Sequence, residues 1–371
     1  MAGLFFRQKR NIPKEDLGKN AKTILILFTL SLLFFLLDRF IPEREAEQDR
    51  KMMIEASQIM KEAIGVLQEC QEEKGISIDK RRDSNQTGLI GLEVSQITTS
   101  LGSLEAKRTT TNPNFAGLIV FLLKEAGVKE GETIAVGASG SFPALIVAVF
   151  SAAKAMDLKP LVISSLGASQ WGANRADFFW LRMHEYLSME GVFDDEPIAL
   201  SLGGEKDSGE DMSVEGRSLL TKEIRESGIL FIDEPYLERN VELRMSVYEE
   251  NAGNNKIKAF INIGGSWSNM GTDLEILKLK PGLVKIRSIP MPDKRGIIHE
   301  MAVRKIPVIH LLYIKGFVHR YGLPWDPIPL PRPGDGKIYQ MIRQKQPTFI
   351  FLAALYLILV SLVFIFRYKI K

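Results

Sequence analysis

Serine and glycine residues recur in three short phrases that have the chemistry to bind a polar ligand. The phrases are GASGSFP at 137–143, GASQWG at 167–172 and GGSWSNMG at 264–271. Serine hydroxyls and the free N–H groups at a helix start bind anionic oxygens, and glycine lets a ligand approach the backbone closely. The phrases therefore predict one site for a phosphate or carboxylate group. We expect its ligand-binding residues to be Ser139, Gly140, Ser141, Ser169, Trp171, Asn174, Arg175, Gly265, Ser266 and Trp267.

Any one of these phrases, taken alone, is more typical of an ordinary tight turn between a strand and a helix. Their recurrence favours a ligand, because a plain turn needs neither paired serines nor a tryptophan one or two positions beyond a serine. Arg175, or the adjacent pair Lys107 and Arg108, could add positive charge to such a site.

Specific chemistries are harder to assign to the first phrase. The dinucleotide fingerprint GxGxxG is missing from 137–142, and the chain has no Walker loop. The nucleophile pattern GxSxG fails by one position, since Ser141 stands where glycine is required. A hydrolase could still combine Ser139, Asp233 and one of the histidines His299, His310 and His319. That alternative stays open, and no catalytic residue or cofactor can be assigned.

The sequence gives little support for a metal site or for nucleic-acid binding. Asp177 and His184 lie seven positions apart on a predicted helix and could face the same way, but no third ligand can be named, so no metal site is predicted. The net charge of +3 is too small and too evenly spread to indicate nucleic acid. With one cysteine, Cys70, an intramolecular disulfide is impossible.

Apolar runs of strand length alternate with helical stretches between residues 115 and 335. This pattern indicates a doubly wound, mostly parallel, Rossmann-like α/β sheet covered by helices on both faces. The serine phrases follow its strands, and ligands of such sheets bind at the carboxyl ends of the strands. The predicted strands are 133–137, 161–165, 198–202, 229–233, 258–263 and 307–314, and the predicted helices are 143–156, 174–189, 213–226, 235–252 and 295–305.

Two uncharged runs flank this domain and predict transmembrane helices. The first is 23–37, extended to 23–40 by snorkelling of its basic edges, and the second is 347–366. Basic tails at 1–22 and 367–371 favour cytoplasmic termini. The expected localisation is the bacterial inner membrane, with the lipid bilayer as a partner, two spans and the large domain outside the cytoplasm.

Two further segments lie between the first run and the domain. Residues 43–73 carry apolar positions at helical spacing and predict an amphipathic stalk helix, which could pair with a partner helix or pack on its own domain. Residues 74–114 are polar and are expected to connect the stalk to the domain.

Several longer strings resemble one known family. VGASGSFPAL, PLVISSLGASQWGANRADFFWL, INIGGSWSNMG and PVIHLLYIKGFVHRYGLPWDPIPLP, in this order, are similar to the bacterial poly-gamma-glutamate system protein family. The resemblance implies a membrane component that accompanies the ligase and membrane subunits making and exporting this polymer. It implies no catalytic residue.

The expected function is therefore a membrane-anchored component that binds polymer carboxylates or a phosphate, with poly-gamma-glutamate and the synthase subunits as partners. Two alternatives stay open. One is a serine-dependent hydrolase or transferase acting on the polymer through Ser139 or Ser169. The other is a scaffold whose stalk helix recruits the synthase.

Overall fold

The computed structural model describes residues 14–341 and 346–369 of the 371-residue chain. Parts of both predicted basic tails, residues 1–13 and 370–371, lie outside the described residues. The described residues divide into two compact units. One comprises those within 1–48 and 343–371, and the other those within 49–342.

The helices are mostly short, with one long exception at the start of the chain. Their bounds are α1 Lys14–Glu73, α2 Leu104–Thr110, α3 Asn114–Glu125, α4 Pro143–Ala155, α5 Trp180–Met189, α6 Val214–Ser227, α7 Leu237–Ala252, α8 Trp267–Met270, α9 Ile297–Val303, α10 Ile314–Tyr321 and α11 Gln346–Lys369.

Six strands form the main sheet in the order β5-β2-β1-β6-β8-β7, and two very short strands, β3 and β4, pair separately. All neighbours in the main sheet are parallel except β7 and β8. The strands are β1 Thr133–Ser139, β2 Lys159–Ser165, β3 Asn174–Arg175, β4 Phe178–Phe179, β5 Ala199–Ser201, β6 Ile257–Ile263, β7 Gly282–Val284 and β8 Val308–Leu311. The predicted Rossmann-like, mostly parallel sheet is confirmed.

Both faces of the sheet are buried because alternate residues along each strand enter different cores. Val136 of β1 and Ile261 of β6 join a core with α3 and α4, whereas Ala135 and Phe260 join a second core with α7 and α9. This two-sided burial explains why the strands are continuous apolar runs in the sequence.

The strand order reverses between β1 and β6. The chain moves from β1 through β2 to β5 on one side, then returns to place β6 and β8 on the other side of β1. In open parallel sheets the crevice at such a reversal, beyond the carboxyl ends of the strands, is where ligands bind. Here that crevice lies beyond Ser139 and Ile263.

The structure differs from the prediction at three elements. The segment 229–233 contacts β5 through a single bridge, between Leu200 and Phe231, which is too short a ladder to form a strand. The antiparallel edge strand β7 was not predicted, since three residues give no recognisable pattern. The helix predicted at 174–189 begins only at Trp180, because 174–179 form the β3–β4 hairpin.

The part of α1 within the second unit packs on its own domain. Its apolar residues are fully buried in the core shared with α3 and α4, and they include Met53, Ala56, Met60 and Leu67. Ser57 adds a 2.8 Å hydrogen bond to the Tyr339 hydroxyl. Of the two possibilities for the predicted stalk, the structure therefore has the helix packing on its own domain.

The first unit contains the start of α1 together with α11. Tyr356 contacts α1 through a 2.8 Å hydrogen bond to Ser31 and a ring contact with Phe34, whose centroid lies 4.9 Å away. The two contacts hold these helices side by side within this unit.

Among the helices that the structure describes, none has enough length and apolar character to cross a membrane. The uncharged run in α1 covers only 23–37, which is shorter than the roughly 20 residues that a bilayer requires. The predicted transmembrane helices at 23–40 and 347–366 are therefore wrong. The predicted two-span inner-membrane localisation is wrong for the same reason.

Candidate functional site

A cavity of about 670 Å³ lies at the carboxyl edge of the sheet, at the reversal between β1 and β6. Its size is typical of sites for small molecules or cofactors. The loops after β1, β2, β5, β6 and β8 and the segment around α2 contribute its walls. Hydroxyl groups line much of it, from Thr99, Ser100, Ser103, Ser139, Ser141, Ser165, Ser169 and Ser266.

Six of the ten predicted ligand-binding residues lie in the wall of this cavity: Ser139, Ser141, Ser169, Gly265, Ser266 and Trp267. The parallel topology brings the three phrases together because each follows a strand that ends at the same edge. Gly264, with φ +82°, turns the chain beside Ser139, and an added Cβ there would lie 3.1 Å from the Ser139 Cβ. The other four predicted residues, Gly140, Trp171, Asn174 and Arg175, do not line the cavity.

Those four residues have contacts elsewhere. The Gly140 N–H donates to the Ser165 carbonyl at 2.9 Å and so joins the end of β1 to the end of β2. Trp171 lies beneath the Arg82 guanidinium, 4.6 Å from the ring centroid. Arg175 pairs with Asp177 at 3.0 Å.

Asn174 clamps the preceding polar loop to the domain. Its Oδ1 accepts the Leu92 N–H at 2.8 Å, and its Nδ2 donates to the Leu92 carbonyl at 2.8 Å and to Thr98 Oγ1 at 2.9 Å. The side chain is fully buried, so these contacts account for its polar atoms. Its contacts here hold the loop in place.

The serines of the first two phrases form a hydrogen-bonded chain. Ser139 Oγ accepts the Ser141 N–H at 3.3 Å, and Ser141 Oγ accepts the Ser169 N–H at 2.9 Å. Within the described residues neither hydroxyl hydrogen has an acceptor of its own. Both groups can therefore donate to a ligand, as an anionic oxygen requires.

Lys107 of α2 is the cation nearest to these serines, and it is only 3% exposed. Its Nζ lies 2.9 Å from Ser169 Oγ, also contacts the Ser141 carbonyl oxygen, and sits 3.7 Å from the centroid of the Phe142 ring. Burial lowers the pKa of Lys107 to about 7. In the described part of the chain no carboxylate lies within ion-pair distance of this amine.

Lys107 reaches the cavity because the polar segment before α3 folds over the edge of the sheet. Thr98 bridges Ala168 of the second phrase, and Ser103 caps α2 by accepting the Ala106 N–H at 3.2 Å. Arg108 turns away and pairs with Asp326. The string AKRTTT, which joins two cations to hydroxyls, was a weak signal for this role.

Neither buried histidine of the possible hydrolase triad is hydrogen-bonded to Ser139. His299 Nδ1 accepts the Gly296 N–H at 3.1 Å, and His310 Nδ1 accepts from Asn262 Nδ2 at 3.0 Å. Burial lowers the pKa of His310 to about 4, so it is neutral at physiological pH.

Asp177 and His184 also have separate partners. Asp177 pairs with Arg175, whereas His184 Nε2 donates to the Asp195 carbonyl at 2.9 Å beside Phe150. In the described residues no cluster of three or more side chains suited to holding a metal ion occurs.

A buried ion pair fixes the loop after β5, which carries Gly204 and Asp211 of the cavity wall. Arg244 of α7 contacts Asp207 at 2.5 Å and Ser201 Oγ at 2.8 Å, and Asp207 Oδ1 accepts from the same hydroxyl at 2.9 Å. The charged side chains are at most 2% exposed. The network thus ties that loop to the end of β5 and to α7.

Comparisons with known proteins place no further constraint on the site: no family profile, no curated protein and no solved structure matches the chain significantly.

Proposed function

We propose that the cavity at the β1–β6 reversal binds an anionic group, a carboxylate or a phosphate. The observation that carries this proposal is Lys107, a buried amine beside serine hydroxyls with no carboxylate partner in the described residues. Burying a charge without a counter-ion is unfavourable, so an anion that enters the cavity gains the interaction that the protein lacks.

The surrounding groups favour an anion as well. The hydroxyls of Ser139 and Ser141 use their acceptor capacity on backbone N–H groups and keep their hydrogens available. Lys315 of α10 contributes a second cation to the wall. One carboxylate, Asp211, also lines the cavity, so two lysines against one carboxylate leave a balance of charge that favours an anion.

We further propose poly-gamma-glutamate as the source of that anion, with the synthase subunits as partners. This step rests on the family resemblance, and a chain of glutamyl units carries a free carboxylate on every residue. A scaffold function of the predicted stalk helix has less support, because Met53, Met60 and Leu67 are buried in its own domain.

The test is calorimetry of the full chain with sulfate and with a short γ-glutamyl peptide. With the amino group of the peptide acetylated, neither probe titrates between pH 6.5 and 8.5, so any pH dependence belongs to the protein. An anion beside Lys107 raises its pKa, so binding takes up protons, and the affinity should fall about fivefold from pH 7 to pH 8.

Lys107→Met should abolish both the binding and the proton uptake, whereas Lys222→Met, which removes an exposed lysine of α6, should change neither. Sulfate binding without peptide binding would support the proposed anion binding and contradict poly-gamma-glutamate as the source of the anion. Absence of binding by either probe, or unchanged binding in Lys107→Met, contradicts the proposal.

A further inference from the structure

Ser169 and the buried amine of Lys107 are in direct contact in the wall of the cavity. The Lys107 Nζ contacts the Ser169 hydroxyl, the Ser141 carbonyl and the Phe142 ring, so its own surface is covered. Ser169 is a wall residue of the cavity, and its Oγ lies 2.9 Å from the amine. Lys107 lines the same cavity, so a molecule there meets the serine with a potential base in direct contact with its hydroxyl.

We propose that Ser169 is a nucleophile and Lys107 its general base, and that the site transfers the acyl group of an amide or ester in an anionic substrate. The inference rests on the anion-binding cavity proposed above and adds a reaction to it. A serine with a lysine base is a known variant of the serine–histidine arrangement.

Other serines in the cavity lack this contact. Ser139 and Ser141 accept backbone N–H groups, and Ser266 accepts the Asn269 N–H at the start of α8. Within the described residues, none of the three hydroxyls is hydrogen-bonded to a titratable side chain. The free hydroxyl hydrogens of Ser139 and Ser141 are instead available to the oxyanion that forms when a carbonyl is attacked.

The charged groups around Lys107 leave its neutral form accessible. On its own helix, Arg108 is paired with Asp326, and Glu105 accepts from the Ser103 hydroxyl. The loops carrying Ser141 and Ser169 contribute no charge next to the amine. Lys315 of α10 and Asp211 of the loop after β5 line the same cavity, and neither forms an ion pair with Lys107 in the described structure.

The pKa of Lys107, lowered by burial to about 7, makes half of the amine neutral at neutral pH. Lys315 lines the same cavity and can pair with the substrate's carboxylate, so Lys107 can stay neutral while the carbonyl lies at Ser169. A general base works best when its pKa lies near the working pH.

Each step of the reaction balances. The Lys107 amine takes the proton of Ser169 as Oγ bonds to the carbonyl carbon. The tetrahedral intermediate collapses with cleavage of the C–N or C–O bond, and the Lys107 ammonium gives its proton to the leaving amine or alcohol. Water then attacks the acyl-serine, Lys107 takes the water proton and returns it to Ser169 Oγ. The net reaction is hydrolysis, or transfer when an amine replaces water.

The experiment uses the full chain with two activated esters, p-nitrophenyl hydrogen glutarate, which carries a free carboxylate, and neutral p-nitrophenyl butyrate. Release of p-nitrophenolate gives the rate, and peptide mass spectrometry identifies the acylated residue. We expect acylation of Ser169, at least tenfold faster with the glutarate ester, with a rate that rises with pH through a midpoint near 7.

Variants of Ser169 and Lys107 separate anion binding from acyl transfer. Ser169→Ala should end acylation at this position while retaining sulfate binding, and Lys107→Met should slow it by about 100-fold or more. Lys107→Arg keeps a cation without a usable base, so it should bind sulfate and fail to acylate. Ser218→Ala and Lys222→Met, on the exposed face of α6, should behave as wild type.

Absence of acylation at Ser169 in the wild type overturns the inference, as does acylation that is independent of Lys107 or of pH. Sulfate binding without acylation would contradict the proposed reaction and still support the proposed anion binding. Acylation at equal rates with both esters, with no sulfate binding, would contradict the proposed anion binding and support the serine–lysine pair alone.

Discussion

Replacing Lys107 by methionine tests the electrostatic reasoning without requiring any ligand. A free lysine has a pKa of about 10.4, whereas burial lowers that of Lys107 to about 7. Between these two values the unfolded chain binds more protons than the folded chain, so the stability of the wild type must rise with pH across this window. Methionine keeps most of the buried stem and removes the titrating amine.

The magnitude follows from the size of this shift. One pKa unit corresponds to about 1.4 kcal/mol, so at pH 7 the lowered pKa costs the wild type about 4 kcal/mol relative to a lysine with an ordinary pKa. At pH 9 the same cost is about 2 kcal/mol. The free energy of unfolding of the wild type should therefore increase by about 2 kcal/mol from pH 7 to pH 9 relative to Lys107→Met.

Urea denaturation of both proteins at several pH values measures this difference. All four tryptophans, Trp171, Trp180, Trp267 and Trp325, lie in the unit formed by 49–342, so their fluorescence reports on the unit that contains the cavity. Other titrating groups occur in both proteins and cancel in the comparison. Loss of the hydrogen bond to Ser169 shifts the two curves by a constant of about 1 kcal/mol and leaves the pH slope unchanged.

A pH-independent difference between the two proteins would refute this reasoning, because it would mean that Lys107 titrates alike in the folded and unfolded chains. A difference with the opposite slope would indicate a raised pKa and thus an undetected carboxylate partner.

Three further predictions concern the framework of the site. Arg244→Met leaves Asp207 buried without its ion-pair partner and should lower the free energy of unfolding, measured by urea denaturation, by about 3–5 kcal/mol. Breaking an exposed ion pair would cost only about 1 kcal/mol or less. Asn174→Ala removes the side chain that holds the polar loop and should lower the free energy of unfolding by about 2 kcal/mol. The affinity for sulfate should stay within a few-fold of that of the wild type. A complete loss of sulfate binding at normal stability would contradict this expectation. Gly216→Ala should prevent stable folding, because the added Cβ would lie 1.9 Å from a backbone carbonyl oxygen. Gly65→Ala in α1 is the matched control. Its Cβ would meet no atom within 4 Å, so the change should raise the melting temperature slightly.

The sheet and the position of the cavity could be predicted because both follow from local patterns. Strands buried on both faces must be continuous apolar runs, and the ends of parallel strands must meet at one edge. Once 133–139, 159–165 and 257–263 are recognised as strands, the phrases that follow them have to be neighbours. The edge strand Gly282–Val284 could not be recognised, because it obtains its conformation from pairing with β8.

The individual roles within the site could not be read from the chain in the same way. Asn174 and Ser169 lie five positions apart and are both polar residues after the same strand, yet one clamps a loop and the other lines the cavity. Which role each takes depends on what packs against it. Here that is the segment 92–110, whose polar composition shows no helical or strand periodicity over most of its length.

The same segment explains how loops that carry no charge of their own can form the anion site proposed above. Serine loops at the ends of parallel strands offer hydrogen-bond donors but no charge, and they serve many kinds of ligand equally well. The segment adds Lys107, and by covering the amine it also removes the water that would otherwise stabilise the ammonium ion. Burial thus makes the proton on Lys107 responsive to whatever lies at Ser169: an anion there retains the proton, whereas a neutral carbonyl leaves the amine free to act as a base. One contact of 2.9 Å between Lys107 and Ser169 therefore underlies both the proposed binding and the proposed reaction. The pKa near 7 in the unliganded protein should set the pH above which stability begins to rise and anion affinity begins to fall, and the pH at which acylation reaches half of its maximum rate.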